Sequence, residues 1–273
     1  MVKIERSKVR KAFDRGACRY EDIVIVQKLV IERILSNLAK TSLYQAPRRI
    51  LDVGAGTGML LRSLRKHYPV AFLAGVDLAP GMGTAARGSL QDEGQIFYVE
   101  GDAENLPFAD GSFDLVVSTS TFQWLTVLEK AFSEAKRVLV PGGTFLFALF
   151  GESTLHELKS SYRSALIAEK AAGKDRSHVF FTPGTVATNL AEFGFSEISV
   201  ENSIEKEYYP DVPAFLKALK GIGAGTPASL PLEGLGGRRV LTKMAEVYQR
   251  DFSDERGVPA TYEVIYGKGV KVS

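Results

Sequence analysis

Residues 50–58, ILDVGAGTG, join a short apolar run to three closely spaced glycines. The run ends at Asp52, and Gly54, Gly56 and Gly58 then alternate with other residues. Glycines allow a tight turn and let a ligand approach the backbone without a side-chain clash. The stretch therefore predicts a buried strand that leads directly into a ligand-binding loop; a simple tight turn is the alternative.

The spacing of the glycines separates three classes of ligand. A triphosphate loop needs G-x-x-x-x-G-K-[ST], which the sequence lacks. A dinucleotide loop reads G-x-G-x-x-G, whereas this spacing is G-x-G-x-G. A carboxylate at Asp52 would repel a pyrophosphate but suits a ligand with a positive charge, such as the ammonium group of S-adenosylmethionine. The pattern favours S-adenosylmethionine.

Strand-like and helix-like segments alternate along the chain, which predicts an α/β fold with a doubly wound, mostly parallel, seven-stranded sheet. Helices inserted after residue 150 are expected to cap the ligand edge of that sheet. The predicted helices are 21–39, 59–67, 80–92, 127–138, 153–170, 182–193, 213–222 and 238–252. The predicted strands are 48–54, 70–77, 95–102, 113–120, 144–150, 195–209 and 261–272.

Composition excludes several classes of protein. The 273 residues fit one large domain, and the net charge of +2 shows no bias towards a polyanion. A single cysteine, Cys18, excludes an internal disulfide and favours a reducing compartment. No apolar run is long enough to span a membrane, and the first residues do not form a signal peptide. We expect a cytoplasmic monomer without metal, because the histidines lack ligand spacing.

Two further acids follow predicted strands. Asp77 ends the second strand and can accept hydrogen bonds from ribose hydroxyls. Asp102 follows the third strand and is placed to bind the adenine amino group, with Ala103 beside it. Either acid alone could be a helix or turn cap. Together with Asp52 they are expected to lie in register at three successive strand ends.

Five segments resemble the class I S-adenosylmethionine-dependent methyltransferases. These are LDVGAGTG, GVDLAP, GDAENLPF, SFDLVVS and RVLVPGG, within about residues 48–150. The flanks resemble the malonyl-acyl carrier protein O-methyltransferase family of the biotin pathway. That likeness rests on Phe13, Arg15, Tyr20 and Gln27 and on the segments FQW (122–124), FTP (181–183), LKGIGAGT (219–226), RRVLTK (238–243) and PATY (259–262).

The resemblance implies a single domain with a role for each part. Residues 1–45 would form a helical lid, 46–150 the cofactor-binding core, and 151–273 the remaining strands with substrate-capping helices. Tyr20 and Phe181 would surround the transferred methyl group. The implied cofactor residues are Gln27, Asp52, Gly54, Gly56, Gly58, Asp77, Leu78, Asp102, Ala103 and Ser118, and the implied substrate residues are His178, Lys220 and Gly221.

The sequence departs from the family pattern in two places. Thr119 stands where the family usually has asparagine. Gly81 and Gly83 interrupt the helix after Asp77, where a glycine costs about 0.5–1 kcal/mol. The cofactor assignment does not depend on these positions.

The family's reaction would methylate the free carboxylate of a malonyl group on acyl carrier protein. A carboxylate is ionised at pH 7, so the reaction needs alignment and exclusion of water, not a general base. Methylation of a small acid or quinone precursor and non-catalytic cofactor binding are the alternatives.

Residues 1–20 hold seven basic and two acidic side chains, a net charge of +5. Lys3, Arg6, Arg10 and Lys11 are therefore expected to dock an acidic carrier protein; a solvated helix face is the alternative. The remainder is net acidic and has no basic-aromatic strip, which disfavours nucleic acid as a partner.

Overall fold

The computed structural model describes residues 6–40, 46–94, 96–171, 179–222 and 234–272. The helices are α1 (Arg6–Gly16), α2 (Tyr20–Ile23), α3 (Val26–Lys40), α4 (Met59–His67), α5 (Pro80–Leu90), α6 (Glu129–Val138), α7 (His156–Ala168), α8 (Pro183–Glu192), α9 (Val212–Gly221) and α10 (Gly234–Phe252). The strands are β1 (Arg49–Val53), β2 (Phe72–Asp77), β3 (Ile96–Glu100), β4 (Phe113–Thr119), β5 (Leu139–Phe150), β6 (Phe195–Tyr209) and β7 (Val258–Lys271). Single 3₁₀ turns lie at Ala17–Arg19 and Phe122–Trp124.

The described strands form one sheet in the order β3-β2-β1-β4-β5-β7-β6. The first five strands in this order are parallel, and β7 runs antiparallel to both β5 and β6. The order reverses direction beside β1, so the carboxyl ends of β1 and β4 flank the crevice where such sheets bind ligands. The predicted mostly parallel seven-stranded sheet is confirmed.

The central strands β1, β4 and β5 are buried on both faces along most of their length, as is usual for parallel strands. Side chains alternate between faces along each strand, so Ile50 joins one apolar cluster while Leu51 and Val53 join the other. The Ile50 face is covered by α3, α4 and α10, and the opposite face by α6 and α8. The loops at the carboxyl ends of the strands are therefore held by a rigid core.

The predicted continuous helix over 21–39 is wrong at its start. The chain extends at Val24, where ψ is 121°, and divides the segment into α2 and α3. Val24 and Val26 are both buried, and the Val26 amide donates to Glu207 Oε1 at 3.0 Å. The carboxylate of Glu207 thus caps α3, which offsets the backbone bonds lost at the break.

Strand β5 begins five residues earlier than predicted. Leu139 already pairs with Phe113, and pairing resumes between Thr144 and Leu115 after a register shift. The Pro-Gly-Gly segment between them forms a bulge in which Gly142 has a φ of +77°. Proline and glycine are uncommon inside strands, but they fit a bulge of this kind.

The inserted helices lie in the two predicted places. Helices α7 and α8 connect β5 to β6, and α9 and α10 connect β6 to β7. Tyr248 of α10 is fully buried and donates to the Pro259 carbonyl at 2.6 Å, which ties this layer to β7. Among the described helices, none has both the length and the apolar character that a membrane crossing needs.

Candidate active site

The glycine loop links β1 to α4, and each of its glycines has a distinct steric role. A side chain at Gly54 would place its Cβ 1.9 Å from Thr121 Oγ1, and one at Gly58 would lie 2.9 Å from Leu90. A Cβ at Gly56 would meet nothing within 4 Å, and Gly56 lines an open cleft. All three have positive φ, between +54° and +86°. Gly54 and Gly58 are thus fixed by packing, whereas Gly56 leaves room for a ligand.

Asp77 lies at the end of β2 and lines the same cleft. Its Oδ2 accepts from the Gly56 amide at 3.0 Å, and its Oδ1 accepts from the Ala79 amide at 2.8 Å. Burial raises the pKa of this carboxyl, and backbone amides of Ala79, Gly56 and Leu78 oppose that change. A carboxylate can accept about four hydrogen bonds, so it keeps capacity for two ligand hydroxyls.

Asp52 lies further inside the sheet than the sequence predicted, and it is not level with Asp77. It pairs with Gly75, two residues before the end of β2, and is 1% exposed. It does not line the cleft, and neither carboxylate oxygen has a hydrogen-bond partner among the described residues. Burial, followed by the negative charge of Asp77, raises the pKa of Asp52 to about 8. The expected alignment of three acids at strand ends is therefore wrong for Asp52, and its contact with the cofactor stays a prediction.

Tyr98 supports the glycine loop from β3. Its hydroxyl donates to the Gly56 carbonyl at 2.7 Å. A Cβ at Gly83 would lie 3.0 Å from Cε1 of this ring, so the glycine in α5 makes room for the tyrosine. The departure from the family pattern at Gly83 is thus explained by packing.

The cleft encloses about 780 Å³, including its open mouth. Lining residues come from the ends of β1, β2 and β4, from the segment after β3, and from α1. Of the predicted cofactor residues, Gly54, Gly56, Asp77, Leu78 and Ala103 line it, together with Tyr20.

Helix α1 closes one side of the cleft and is called the lid helix below. Val9 and Phe13 line the cleft, and the Asp14 carboxylate accepts from the amide of Gly81 in the first turn of α5. An acid at a helix N-terminus is favourable. A Cβ at Gly81 would lie 2.6 Å from the Asp14 carbonyl, so this glycine lets the lid helix approach α5.

Arginines of the lid helix pair with acids at the end of β3. Arg6 forms ion pairs with both Asp102 and Glu104, and Arg10 pairs with Glu100 at 2.6 Å. Asp102, predicted to bind adenine, does not line the cleft and also accepts from the Glu104 amide at 2.9 Å. Its adenine contact stays a prediction, while its observed role is to hold the lid helix.

A second cavity of about 430 Å³ adjoins the cleft. Four residues line both spaces: Phe13, Tyr20, Ser120 and Trp124. Gln27, a predicted cofactor residue, lines only the second cavity and is 8% exposed. The rest of the cavity's described lining is largely apolar and includes residues from β5, β7 and α9, from the segment between β5 and α7, and from the segment before α8. Tyr20 therefore lies between Gln27 and the cleft.

The two residues expected around the methyl group differ in position. Tyr20 begins α2 and lies edge-on to Phe13, with ring centroids 6.3 Å apart. Burial, and then the negative charge of Asp77, raises the pKa of its phenol. Phe181 lines neither cavity and packs against the opposite core, whereas its neighbour Phe180 lines the second cavity. A role for Phe181 stays a prediction.

Three further predicted residues, Ser118, Lys220 and Gly221, line neither the cleft nor the second cavity. Ser118 is fully buried and donates to the Val53 carbonyl at 2.7 Å. Lys220 is exposed and Gly221 packs against Ile23, while Leu219 and Ile222 on either side line the second cavity. His178 lies outside the described residues.

Sequence reasoning missed Tyr98, Ser120 and Thr121. Successive side chains of a strand point to opposite faces, so Phe97 and Tyr98 of QIFYVE must face different sides of the sheet. Phe97 is exposed in the structure, and Tyr98 points to the other face, beside the loop. No pattern in the sequence signalled Thr121, whose hydroxyl lies 3.4 Å from the Gly54 carbonyl. No cluster of three or more metal-binding side chains occurs in the part of the chain that the structure describes.

The cleft fits S-adenosylmethionine on two observations. Gly56 leaves an open approach to the loop backbone, and Asp77 has acceptor capacity for two hydroxyls at the end of β2. A methyltransferase domain model matches residues 51–147. Phosphoethanolamine N-methyltransferase 2 of Haemonchus contortus, solved with S-adenosylhomocysteine, superimposes with a TM-score of 0.60 at 21% identity, over 97% of this chain and 60% of that one. The fold and site define a class I S-adenosylmethionine-dependent methyltransferase.

Two curated relatives narrow this class. The malonyl-[acyl-carrier protein] O-methyltransferase of Geobacter sulfurreducens is 52% identical over 97% of this chain and 99% of its own. That of Halorhodospira halophila is 34% identical over 97% of this chain and 87% of its own. The chain belongs to the malonyl-[acyl-carrier protein] O-methyltransferase family.

Proposed function

We propose that this enzyme methylates the free carboxylate of a malonyl group carried by acyl carrier protein. The observation that carries the proposal is the 52% identity, over nearly the full length of both chains, to a relative of that name. The product would be a malonyl methyl ester, in which the charge is masked so that chain-extending enzymes can accept the group as a primer for the pimeloyl chain of biotin.

The two adjoining cavities suit this reaction. S-adenosylmethionine, when bound, supplies a methyl group on a sulfonium. Asp77 would hold the ribose, and Gly56 would let the ligand approach the loop. The aromatic rings of Phe13 and Tyr20 separate cleft from cavity and exclude water from the substrate carboxylate. Alignment and desolvation are what an ionised carboxylate needs to react.

The chemistry of the lining supports a substrate that needs no general base. Burial raises the pKa of the phenols of Tyr20 and Tyr262, so both stay neutral at pH 7. Arg6 and Arg10 are paired with acids, and Asp77 accepts backbone hydrogen bonds. Among the described residues that line the two cavities, these five are the ionisable ones. None is placed as a proton acceptor for a neutral nucleophile, whereas a malonate is already ionised.

Docking of the carrier protein on the basic N-terminal segment is a finer part of the proposal. Arg6 and Arg10 are occupied by ion pairs within the chain, which weakens their part in docking. Lys11 is exposed on the lid helix, and Lys3 lies outside the described residues. Lys220 is exposed beside the second cavity and would contact the phosphate or thioester of the carrier's arm.

The proposal assigns the whole chain to one unit, with the lid in residues 1–45, the cofactor core in 46–150 and the capping helices in 151–273. We place it in the cytoplasm as a monomer. The exposed thiol of Cys18 suits a reducing compartment.

The test is transfer of labelled methyl from S-adenosylmethionine to malonyl-acyl carrier protein, malonyl-CoA and free malonate. Label in the malonylated carrier, removable by alkaline ester hydrolysis and missing with acetylated carrier, supports the proposal. Transfer only to free malonate or another small acid contradicts it. For docking, Lys11→Glu should raise the KM for the carrier substrate several-fold at low salt and leave malonyl-CoA unaffected.

A further inference from the structure

Ser120 stands at the junction of the cleft and the second cavity in a strained conformation. It follows β4 directly and has a φ of +55°, in the left-handed region that serine rarely adopts. Its backbone is held on both sides. The Ser120 amide donates to the Ala148 carbonyl at 2.9 Å, and Gln123 Nε2 donates to the Ser120 carbonyl at 2.7 Å. The surroundings therefore fix a backbone geometry that local preference opposes, a feature common at ligand sites.

The hydroxyl of Ser120 is buried and has no hydrogen-bond partner among the described residues. Burying a hydroxyl without a partner is unfavourable. The residue lines both cavities, so a ligand in either space lies beside it. A strained backbone that presents an unpaired donor at this point indicates a ligand contact.

The second cavity has to hold an anion if the proposed function is right. No lysine, arginine or histidine is among the described residues that line it. A buried carboxylate without a cation depends on neutral hydrogen-bond donors.

Two other donors in this cavity are engaged elsewhere. The Thr154 hydroxyl bonds to the backbone of Glu263, and Tyr262 shares a hydrogen bond with Tyr209. Gln27 lines only the far cavity. Ser120 and Tyr20 are the hydroxyl-bearing residues that line both spaces. The Ser120 hydroxyl is the one buried without a partner among the described residues, which marks it as the donor for the carboxylate.

We infer that Ser120 is a substrate-binding residue whose hydroxyl donates a hydrogen bond to the reacting malonyl carboxylate. The inference rests on the proposed function and extends it. One carboxylate oxygen is held by the hydroxyl, and the other is left to accept the methyl group. A neutral donor also leaves more negative charge on the nucleophile than a lysine or arginine would.

The inference makes a specific kinetic prediction. The carboxylate loses negative charge as the methyl group is transferred, so its hydrogen bond to Ser120 is stronger in the ground state than in the transition state. Ser120→Ala should raise the KM for malonyl-acyl carrier protein by about ten-fold or more, as expected for a lost bond to a charged group. The kcat should stay within about three-fold of wild type, and the Kd of S-adenosylmethionine within about two-fold.

Two further variants separate binding from folding. Ser120→Gly also removes the hydroxyl but tolerates the positive φ, so it carries the test if the alanine variant is unstable. Ser161→Ala is the matched control. Ser161, in α7, has a buried hydroxyl without a partner among the described residues and lines neither cavity. It should leave KM and kcat unchanged.

The measurements are steady-state kinetics with malonyl-acyl carrier protein and calorimetry with S-adenosylmethionine. A raised KM in both Ser120 variants, with an unchanged cofactor Kd, supports the inference. An unchanged KM, a loss confined to kcat, or a weakened cofactor Kd with normal KM overturns it while leaving the proposed function intact. A wild-type enzyme that fails to methylate the malonyl carrier overturns the proposed function and this inference together.

Discussion

The hydroxyl of Tyr98 donates a hydrogen bond to the Gly56 carbonyl at 2.7 Å, so strand β3 holds the cofactor loop that follows β1. The ring fits beside Gly83, where a Cβ would lie 3.0 Å away. A glycine in α5 and a tyrosine in β3 therefore act together on a loop to which neither belongs. The loop keeps its shape through this contact and through the bond between Asp77 and the Gly56 amide.

Tyr98→Phe should loosen the loop. Removing the hydroxyl leaves the Gly56 carbonyl without its donor, at a cost of about 1 kcal/mol. We expect Tm to fall by about 2–4 °C and the Kd of S-adenosylmethionine to rise about five-fold. Thermal unfolding and calorimetry measure both. Tyr208→Phe, on the opposite edge strand, is the control; equal effects in the two variants would contradict a role for Tyr98 in the loop.

Asp77→Asn should weaken cofactor binding. The amide keeps one acceptor oxygen for the backbone but loses the charge and half of the acceptor capacity offered to the ribose. The Kd of S-adenosylmethionine should rise at least about ten-fold. Asp92→Asn, which removes the same charge from an exposed turn after α5, should leave it unchanged. A cofactor Kd equal to wild type in Asp77→Asn would refute the ribose contact.

Asp52 should make stability depend on pH. Its pKa is about 8 in the folded protein and 3.8 in the unfolded reference, so the folded state holds an extra proton between these values. Stability is then greatest below pH 4 for this group and falls as pH rises towards 8, by up to about 1.4 kcal/mol per pH unit.

The measurement is urea unfolding of wild type and Asp52→Asn at several pH values from 5 to about 8.5. The wild type should lose free energy of unfolding relative to the variant as pH rises. Parallel curves would show that Asp52 titrates alike in both states. The difference between the two proteins removes the contribution of every other titrating group.

Arg6→Gln should speed the release of S-adenosylhomocysteine. Arg6 pairs with both Asp102 and Glu104 and holds the lid helix against the end of β3. Exposed ion pairs contribute about 0–1 kcal/mol each, so we expect a several-fold faster off-rate that approaches wild type at high salt. Arg15→Gln removes the same charge from the same helix and is the control. A salt-independent difference in stopped-flow dissociation would assign the effect to packing.

The sheet could be predicted from sequence because its signal is local. Runs such as RILDV and FDLVV are apolar and short, and the segments between them have helical spacing. The break at Val24 could not be predicted, because the carboxylate that caps α3 comes from Glu207, far along the chain. The bulge at Gly142 depends likewise on pairing with β4.

At the site, the types of residue were easier to predict from sequence than how deeply each residue is buried or which way its side chain points. Gly56 and Asp77 line the cleft as expected, because a glycine loop and a strand-end acid have few other uses. Ser118 and Phe181 were each named close to a residue that does line a cavity, Ser120 and Phe180. Side chains alternate between the two faces of a sheet only within a strand. Which of two neighbouring residues faces the cavity therefore depends on where the strand ends. That point depends on tertiary contacts such as the bond from Gln123 to Ser120.

Phe13 and Tyr20 belong to the walls of both cavities, and both residues lie in the N-terminal helical segment. A movement of this segment would change the walls of both spaces at once. Spent cofactor and methylated product would then depart through the same event, and fresh ligands would enter through it. One motion would then serve both exchanges, and it would influence the pace of the whole cycle.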